Sequence, residues 1–322
     1  MRFIVYGVGG IGGGLAVALA DSGQDVIGIA RGAQLDAIRK GGLRLLTPDG
    51  ERHAHFPCVG GPEEIDLREG DMILLTMKSQ DTAAALARLA ECGLRDQPVF
   101  CFQNGVANER LAASMGMNTH GVTVMMPGTY LTPGTVAVHA TPRLAILDIG
   151  RYPQGNDRDD HALAGALEAA GMACFVLDRV MDSKHGKLLL NLGNIIQAAL
   201  GAGEPADDLT GPVRAEARAV LAAAGIAWDD KDASDPRRET LLRSGEIEGV
   251  PRPGGSTLQS LLRGTGSVET DYLNGEIVEL GKAHGVETPL NAALVALGRR
   301  MAREGLAPGS IGRDALEGLL GR

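Results

Sequence analysis

The sequence predicts an α/β protein in two parts: a doubly wound sheet over residues 1–180 and an all-helical domain over residues 181–322. Three observations predict this fold class. A glycine-rich turn follows the first apolar strand, further apolar strands alternate with helices as far as residue 177, and helical periodicity dominates from residue 181 onward. With 322 residues, each part is long enough to bury its own core.

The first element is a short apolar strand that runs directly into glycines at positions 7, 9 and 12. A helix is predicted over 13–21 and a second strand over Asp25–Ala30. Gly7 permits the tight turn, Gly9 lets the backbone approach a pyrophosphate, and Gly12 lets the helix pack closely on the strand. This arrangement predicts a Rossmann-type dinucleotide site, with a glycine-rich loop of an unrelated α/β fold as the alternative.

The end of the second strand indicates which dinucleotide is bound. NAD-binding units usually place Asp or Glu there to accept a hydrogen bond from the ribose 2′-OH, but this chain has Arg31. A guanidinium cannot accept from a hydroxyl, whereas it binds a phosphate well. We therefore expect NADP; an arginine solvated in a loop is the alternative.

Two further apolar strands end in polar residues. Met72–Met77 is followed by Lys78, and Val99–Phe102 is soon followed by Asn104, with a helix predicted over Thr82–Glu91. Fully apolar strands of this kind indicate a parallel sheet covered on both faces. Ligands bind beyond the carboxyl ends of such strands, so Lys78 and Asn104 are candidate cofactor-binding residues. Polar residues often end strands without a function, which is the alternative.

The middle of the chain is rich in strands, with candidates at 135–139, 144–148 and 173–177. His139 is expected within a strand, as a structural residue. Strand signals stop after Asp178, so we place the domain boundary near residue 180. Helical periodicity then continues to the C-terminus, interrupted mainly by the polar stretch 228–255.

Composition excludes several classes of function. A net charge of −9 argues against a nucleic-acid surface, which would need a basic patch. The four cysteines are scattered without metal-like spacing, so we expect no metal site and a reducing cytoplasm. No apolar run reaches the ~18 residues that span a membrane, and because the first residues form a core strand we expect no signal peptide.

A polar stripe marks the first helix of the second part. On a continuous helix, Lys187, Asn191 and Asn194 share one face among leucines and isoleucines. Such groups are costly to bury without partners or a role. A partly buried lysine, with its pKa lowered toward neutrality, is a plausible proton donor. The alternative is a lysine that reaches the surface and asparagines that bond to nearby backbone.

Two later positions suit substrate binding. Gly254-Gly255-Ser256 precedes an apolar run, which predicts a loop feeding a helix with Ser256 near its N-terminus. A serine hydroxyl and free N–H groups there suit a carboxylate. Glu269 begins the segment Glu269–Gly275. The plainer interpretation is a helix cap and a first-turn acid.

Taken together, these residues resemble the ketopantoate reductase (2-dehydropantoate 2-reductase) family over nearly the whole chain. The matching residues are Gly7, Gly9, Gly10, Ile11, Gly12, Arg31, Lys78, Gln103-Asn104-Gly105, Lys187–Asn191, Ser256 with Leu258-Gln259, and Glu269–Gly275. The resemblance implies a homodimeric NADPH-dependent reductase of a 2-oxo acid. It also implies that Gly7–Gly12, Arg31, Lys78 and Asn104 bind the cofactor, that Lys187 is the general acid with Glu269 beside it, and that Asn191 and Ser256 position the substrate.

The substrate side departs from the family pattern. The family commonly has a second asparagine eight residues after the lysine, where this chain has Ile195. We expect Asn194 to substitute for it. The aromatic residue usually found two positions before the lysine is His185. The resemblance implies reduction of ketopantoate to pantoate as the leading function. The altered substrate-side positions would permit another 2-oxo acid, and a non-catalytic nicotinamide sensor is the other alternative.

Overall fold

The first part of the chain is built on a parallel-dominated sheet, seen in a computed structural model that describes residues 1–230, 235–252, 254–264 and 266–321. Its eight strands, numbered in chain order, are β1 (Arg2–Tyr6), β2 (Asp25–Ile29), β5 (Cys58–Val59), β6 (Asp71–Leu75), β7 (Val99–Cys101), β8 (Thr119–Met125), β12 (Ile146–Arg151) and β13 (Ala173–Val176). The spatial order is β13-β12-β8-β7-β6-β1-β2-β5. All neighbouring pairs are parallel except β8 with β12. β2 is added on one side of β1, and β6, later in the chain, is added on the other side. The order of the strands therefore reverses at β1, which is the topological switch point.

Alternate residues of the central strands enter two separate cores. Phe3 and Val5 pack with Leu15 and Leu19 of α1 (Gly10–Asp21), whereas Ile4 packs in a cluster on the other face. That second cluster contains Leu86 and Leu89 of α3 (Thr82–Glu91), together with Ile73 and Leu75. Since successive side chains of a strand point to opposite faces, the sheet is covered on both sides. The predicted doubly wound α/β fold is confirmed.

A second sheet, which the sequence did not predict, packs on α1. Its strands are β3 (Leu43–Thr47), β4 (Gly50–Ala54), β9 (Gly128–Thr132) and β10 (Thr135–Val138), in the order β4-β3-β10-β9. Two glycines of α1 allow this close packing. A Cβ at Gly13 would lie 2.9 Å from Val136, and one at Gly14 would collide with Met126. The sequence pattern alone places both glycines in a helix and gives no sign of this contact.

The predicted boundaries need correction at several elements. The helix expected over 13–21 begins three residues earlier, so the glycine turn passes directly into its first turn. The strand expected over 144–148 is β12 (Ile146–Arg151), which begins two residues later and ends three residues later than expected. His139 lies just after β10 rather than inside a strand. It is buried, which lowers its pKa, and its backbone bonds to Pro127 and Gly245, as suits a structural residue. The helix over Thr82–Glu91 forms as predicted.

Helices dominate the chain after β13. The remaining helices are α2 (Gly32–Gly41), α4 (Ala107–Ser114), α5 (Arg158–Ala169), α6 (Val180–Asn191), α7 (Asn194–Leu200), α8 (Asp207–Ala223), α9 (Arg237–Leu241), α10 (Ser256–Leu262), α11 (Asn274–His284), α12 (Pro289–Glu304) and α13 (Arg313–Leu319). Short 3₁₀ turns cover Pro62–Glu64, Ser79–Asp81 and Glu269–Tyr272. None of the helices among the described residues is long and apolar enough to cross a membrane.

The chain divides into two compact units that interleave in sequence. The first contains 1–103, 108–183 and 235–252, and the second contains 104–107, 184–230 and the described residues from 254 onward. The expected domains, 1–180 and 181–322, are contiguous, whereas segment 104–107 belongs to the second unit and segment 235–252 to the first. Segment 235–252 carries a strand, β14 (Leu242–Ser244), which pairs antiparallel with β11 (Ala140–Pro142) of the first unit. The region after residue 180 is thus not wholly helical.

Segment 235–252 is held in the first unit by a buried ion pair. Arg237 donates from Nη1 to Oδ1 of Asp148 across 2.6 Å, and it also pairs with Asp235. Ser183 donates its hydroxyl to Asp148 at 2.5 Å, and the guanidinium lies 4.7 Å from the ring centre of Phe175. Burial opposes the charge of Arg237, but the hydrogen bonds of the two carboxylates outweigh it, so the pKa of Arg237 is raised above its ordinary value.

Candidate functional site

The turn after β1 has a conformation that requires its glycines. Gly7 has φ +110°, and a Cβ there would lie 2.6 Å from the backbone nitrogen of Met77. A Cβ at Gly12 would collide with the Gly7 carbonyl oxygen and the Thr76 hydroxyl. That hydroxyl lies 3.0 Å from the carbonyl oxygen of Tyr6 and 2.9 Å from that of Gly7, so it closes the turn from the side of β6. Both glycines therefore serve the backbone of the turn itself.

Gly9, Gly10 and Ile11 form the mouth of this turn. At Gly9, the nearest heavy atom to an added Cβ would be 4.0 Å away, so the backbone is open there. Gly9 is the N-cap of α1, whose first turn has no acidic residue and no side-chain cap. Its leading N–H groups lack acceptors within the helix and lie at the positive end of the dipole. Gly10 packs against Thr129, and Ile11 is half-buried against the core. This cradle fits a pyrophosphate.

Arg31 and Lys78 begin two turns of the first unit. Arg31 is the N-cap of α2, its side chain is 74% exposed, and its Nη2 lies 3.3 Å from Oδ2 of Asp81. Lys78 is the N-cap of the 3₁₀ turn Ser79–Asp81 and is half-buried. The same short turn therefore carries Lys78 at its start and the ion-pair partner of Arg31 at its end.

A buried polar network supports that turn, and sequence reasoning missed it. Gln103 donates from Nε2 to the Thr82 hydroxyl at 3.0 Å, and Thr82 donates to Oδ1 of Asn108 at 2.8 Å. Asn108 in turn donates from Nδ2 to the Ser79 hydroxyl at 3.1 Å. All four side chains are buried. The only signal in the sequence was Gln103 beside the predicted Asn104.

In the second unit, Lys187 and Asn191 lie on consecutive turns of α6. Lys187 is half-buried and Asn191 is buried. Asn191 donates from Nδ2 to Oδ1 of Asn104 across 3.0 Å. Gly105 has φ +81°, and a Cβ there would lie 2.8 Å from the Tyr272 carbonyl oxygen. Segment 104–107 thus packs within the second unit and brings a predicted cofactor residue, Asn104, to a predicted substrate residue.

One more lysine on α6 escaped the sequence reasoning. Lys184, one turn before Lys187, is 3% exposed and therefore more deeply buried than Lys187. Its sequence context, between Ser183 and His185, showed no apolar stripe that would have predicted burial.

The expected alignment of Asn194 with Lys187 assumes one continuous helix, which the structure divides into two. Helix α6 ends at Asn191, and α7 begins at Asn194 after a break at Leu192 and Gly193. Gly193 itself has helical dihedral angles, with φ −78° and ψ −6°, and the alignment of Asn194 with Lys187 stays a prediction. A Cβ at Gly193 would lie 2.7 Å from Thr210, so the break is packed tightly against α8.

Asn194 is nevertheless close to the loop that begins α10. The position of an added Cβ at Gly255 would lie 3.8 Å from Oδ1 of Asn194. The Gly255 N–H donates to Oε1 of Gln197 at 3.1 Å, which ties the loop to α7. Gly255 is the N-cap of α10, and Ser256 is its first residue, as the sequence predicts. Asn194 and Ser256 are thus neighbours through Gly255.

Glu269 and Asn274 belong to a densely bonded part of the second unit. Glu269 is buried at the start of its 3₁₀ turn. Asn274, at the start of α11, donates from Nδ2 to the Leu192 carbonyl oxygen at 3.2 Å and to Oδ1 of Asn291 at 3.0 Å. Asn291 donates to Glu216, whose carboxylate accepts from the first N–H groups of α12. The carbonyl left open by the α6–α7 break is satisfied in this way.

Comparison with known proteins identifies the family of the chain. The family described as "Ketopantoate reductase PanE/ApbA" matches residues 3–154, and its C-terminal counterpart matches residues 186–302. A 2-dehydropantoate 2-reductase from Pyrococcus horikoshii is 29% identical over 96% of this chain and 100% of its own length.

Solved structures share the fold. A PanE/ApbA family ketopantoate reductase from Ralstonia eutropha has a TM-score of 0.77 at 29% identity, covering 95% of this chain and 99% of its own. D-mandelate dehydrogenase, in a ternary structure with NADH and anilino(oxo)acetate, has a TM-score of 0.75 at 22% identity, covering 95% and 100%. With both halves matched by one family, the chain belongs to the PanE/ApbA ketopantoate reductases and is an oxidoreductase.

Proposed function

We propose that this protein reduces the 2-oxo group of ketopantoate to give pantoate, with NADPH as the reductant and Lys187 as the proton donor. The observation that carries the proposal is the arrangement on α6. A half-buried lysine lies one turn before Asn191, whose amide is fixed by Asn104 at 3.0 Å. An ammonium beside oriented amides is suited to a carbonyl oxygen that gains negative charge.

The cofactor side rests on the glycine turn. The open backbone at Gly9 and the uncapped start of α1 support binding of the pyrophosphate, and Arg31 and Lys78 would hold the 2′-phosphate. When bound, NADPH supplies the hydride for the ketone carbon.

The chain's own groups would then complete the reaction. The Lys187 ammonium donates a proton to the ketone oxygen, and Glu269 keeps that ammonium charged or accepts from a substrate hydroxyl. Asn191, Asn194 and Ser256 orient the acid, with the Ser256 hydroxyl at the start of α10 suited to its carboxylate. Ile195, at the family's usual asparagine position, is 1% exposed and packs in the core, which supports Asn194 as the substitute.

A second candidate substrate is a different 2-oxo acid. The changes at Ile195 and His185 both fall on the substrate side of the matched pattern. D-mandelate dehydrogenase, which has the same fold, is described with an oxo acid analogue. We also propose, from the family resemblance, a cytoplasmic homodimer; sedimentation of the purified protein at micromolar concentration tests the dimer.

The test is NADPH oxidation followed by absorbance with a panel of 2-oxo acids. Selective turnover of ketopantoate is expected. Turnover of another acid alone would reassign the substrate, and binding of NADPH without any turnover would favour a non-catalytic sensor.

Variants of two lysines on α6 test the proton donor. Lys187→Met is expected to lower kcat by about 100-fold or more with the NADPH dissociation constant unchanged. The matched control is Lys282→Met, since Lys282 is exposed and paired with Glu279. If Lys184→Met removed turnover while Lys187→Met did not, the assignment of the acid would be wrong.

A further inference from the structure

The guanidinium of Arg31 is already engaged by a carboxylate. Its Nη2 lies 3.3 Å from Oδ2 of Asp81, and the two side chains are 74% and 43% exposed. Nothing in the sequence pattern suggested a partner for Arg31, because Asp81 follows it by 50 residues. The pair therefore brings a negative charge to the position where the proposed function needs only a positive one.

We propose that Asp81 is a specificity-determining residue that weakens NADPH binding relative to NADH; the inference rests on the proposed function of Arg31. The 2′-phosphate of NADPH must either displace the Asp81 carboxylate or share the guanidinium with it. The two anions repel each other. NADH carries a 2′-hydroxyl instead. A carboxylate accepts a hydrogen bond from that hydroxyl, as the acidic residue of NAD-binding units does.

The position of Asp81 is fixed, which makes it an effective competitor. Asp81 ends the 3₁₀ turn Ser79–Asp81 and is the N-cap of α3. Ser79, two residues before it, and Thr82, directly after it, are 3% and 0% exposed and belong to the buried network that includes Gln103 and Asn108. Arg31, by contrast, reaches out on a long and exposed side chain. The backbone at Asp81 is therefore held in place, which keeps its carboxylate at this turn, while the longer Arg31 side chain can turn between two anionic partners.

Another surface ion pair of the first unit serves for comparison with Arg31–Asp81. Arg44 and Glu51 pair at 2.7 Å on β3 and β4, with side chains 50% and 45% exposed. That pair joins two neighbouring strands of the second sheet. The Arg31–Asp81 pair instead joins the turns that follow β2 and β6, which flank β1 at the switch point. Ligands of doubly wound sheets bind at this point, so its charge acts on the cofactor.

The test is a comparison of dissociation constants for NADPH and NADH, measured by titration calorimetry on the full chain. Asp81→Asn keeps the shape of the side chain and removes its charge. It is expected to raise the preference for NADPH over NADH by about threefold or more at low salt, and the gain is expected to shrink as salt screens the charges. Because Asp81 is exposed, the variant should fold as the wild type does, which its thermal unfolding would verify.

Two further variants isolate the cause. Glu51→Gln changes the net charge of the protein by the same amount and should leave both dissociation constants within about twofold. In the double variant Arg31→Met with Asp81→Asn, the increase in NADPH preference should be lost, because there is no guanidinium for the loss of Asp81 to release. The assignment of Asp81 would be overturned if Asp81→Asn had the same ratio of NADH to NADPH dissociation constants as the wild type. It would also be overturned if Glu51→Gln changed that ratio as much as Asp81→Asn does. Wild-type protein that bound neither dinucleotide would overturn the proposed function itself.

Discussion

Asn191 donates a hydrogen bond from Nδ2 to Oδ1 of Asn104 across 3.0 Å. The bond joins the last residue of α6 to segment 104–107, and it fixes how both amide groups are turned. Asn191 is 5% exposed, so few water molecules can replace its partner. Two residues that sequence reasoning assigned to different ligands thus act as one polar unit.

Asn191→Ala is expected to raise KM for the oxo acid by about tenfold, because it removes the proposed substrate contact and releases Asn104. Steady-state kinetics of Asn191→Ala, Asn104→Ala and the double variant measure the coupling. The two effects should fall short of additivity by at least about 0.5 kcal/mol. Asn156→Ala, at an exposed asparagine of the first unit, is the control. Strictly additive effects would show that the hydrogen bond has no part in substrate binding.

Gly9 and Gly12 should respond differently to the same added methyl group. Gly9→Ala meets no protein atom closer than 4.0 Å, so thermal unfolding should be nearly unchanged while NADPH binding weakens by about tenfold or more. Gly12→Ala collides with the Gly7 carbonyl oxygen and should lower stability as well. Calorimetry of unfolding and of cofactor binding checks both. Gly165→Ala, where the methyl group meets nothing within 4 Å, should change neither property much. Undiminished NADPH binding by Gly9→Ala would argue against the pyrophosphate site.

Asn274→Ala should reduce the free energy of unfolding by about 1–3 kcal/mol, since the carbonyl of Leu192 and Oδ1 of Asn291 lose a buried donor. Because Asn191 and Asn194 lie on either side of the α6–α7 break, KM for the oxo acid should also rise while the NADPH dissociation constant stays constant. Urea denaturation and steady-state kinetics give the two quantities. Gln97→Ala, which removes an exposed side chain bonded to Arg68, is the matched control. A variant with unchanged KM would restrict Asn274 to a purely structural role.

Arg237→Met is expected to cost about 3–5 kcal/mol of stability, because it removes a charged partner of the fully buried Asp148. The methionine keeps an apolar stem near Phe175, so the loss reports on charge rather than on volume. Urea denaturation measures it. Arg44→Met breaks an exposed pair with Glu51 and should cost no more than about 1 kcal/mol. Equal losses for the two variants would mean that the Arg237 pair does not anchor segment 235–252.

The elements that the sequence predicted well are those set by local patterns. Apolar runs such as Val99–Phe102 and glycines such as Gly7 depend on neighbours in sequence, and they identified the sheet and its turn. Features set by distant partners were missed. Glycines 13 and 14 fit an ordinary helix, and only the second sheet gives them a purpose. At the break after Asn191, the carbonyl oxygen of Leu192 accepts from Asn274, which lies 82 residues further along the chain.

The same distinction applies to the candidate site. Arg31 and Ser256 lie where their local context placed them, beside a strand end and at a helix start. The partner of Arg31 and the burial of Lys184 arise from chain segments that come together only in the folded state. Asn194 shows both effects, because its predicted direction depends on a helix that the structure divides into α6 and α7, while its position near Gly255 follows from tertiary packing.

Segment 235–252 has a practical consequence for dissecting this enzyme. A truncated gene that ended at Ser183 would leave Asp148 buried opposite no arginine, and it would expose the edge of β11 that β14 covers. Such a fragment should be recovered in inclusion bodies rather than as a cofactor-binding module. Grafting residues 235–252 back through a short flexible linker should restore the missing strand and cation together, so a minimal nucleotide-binding protein would have to be spliced from separate stretches of the gene.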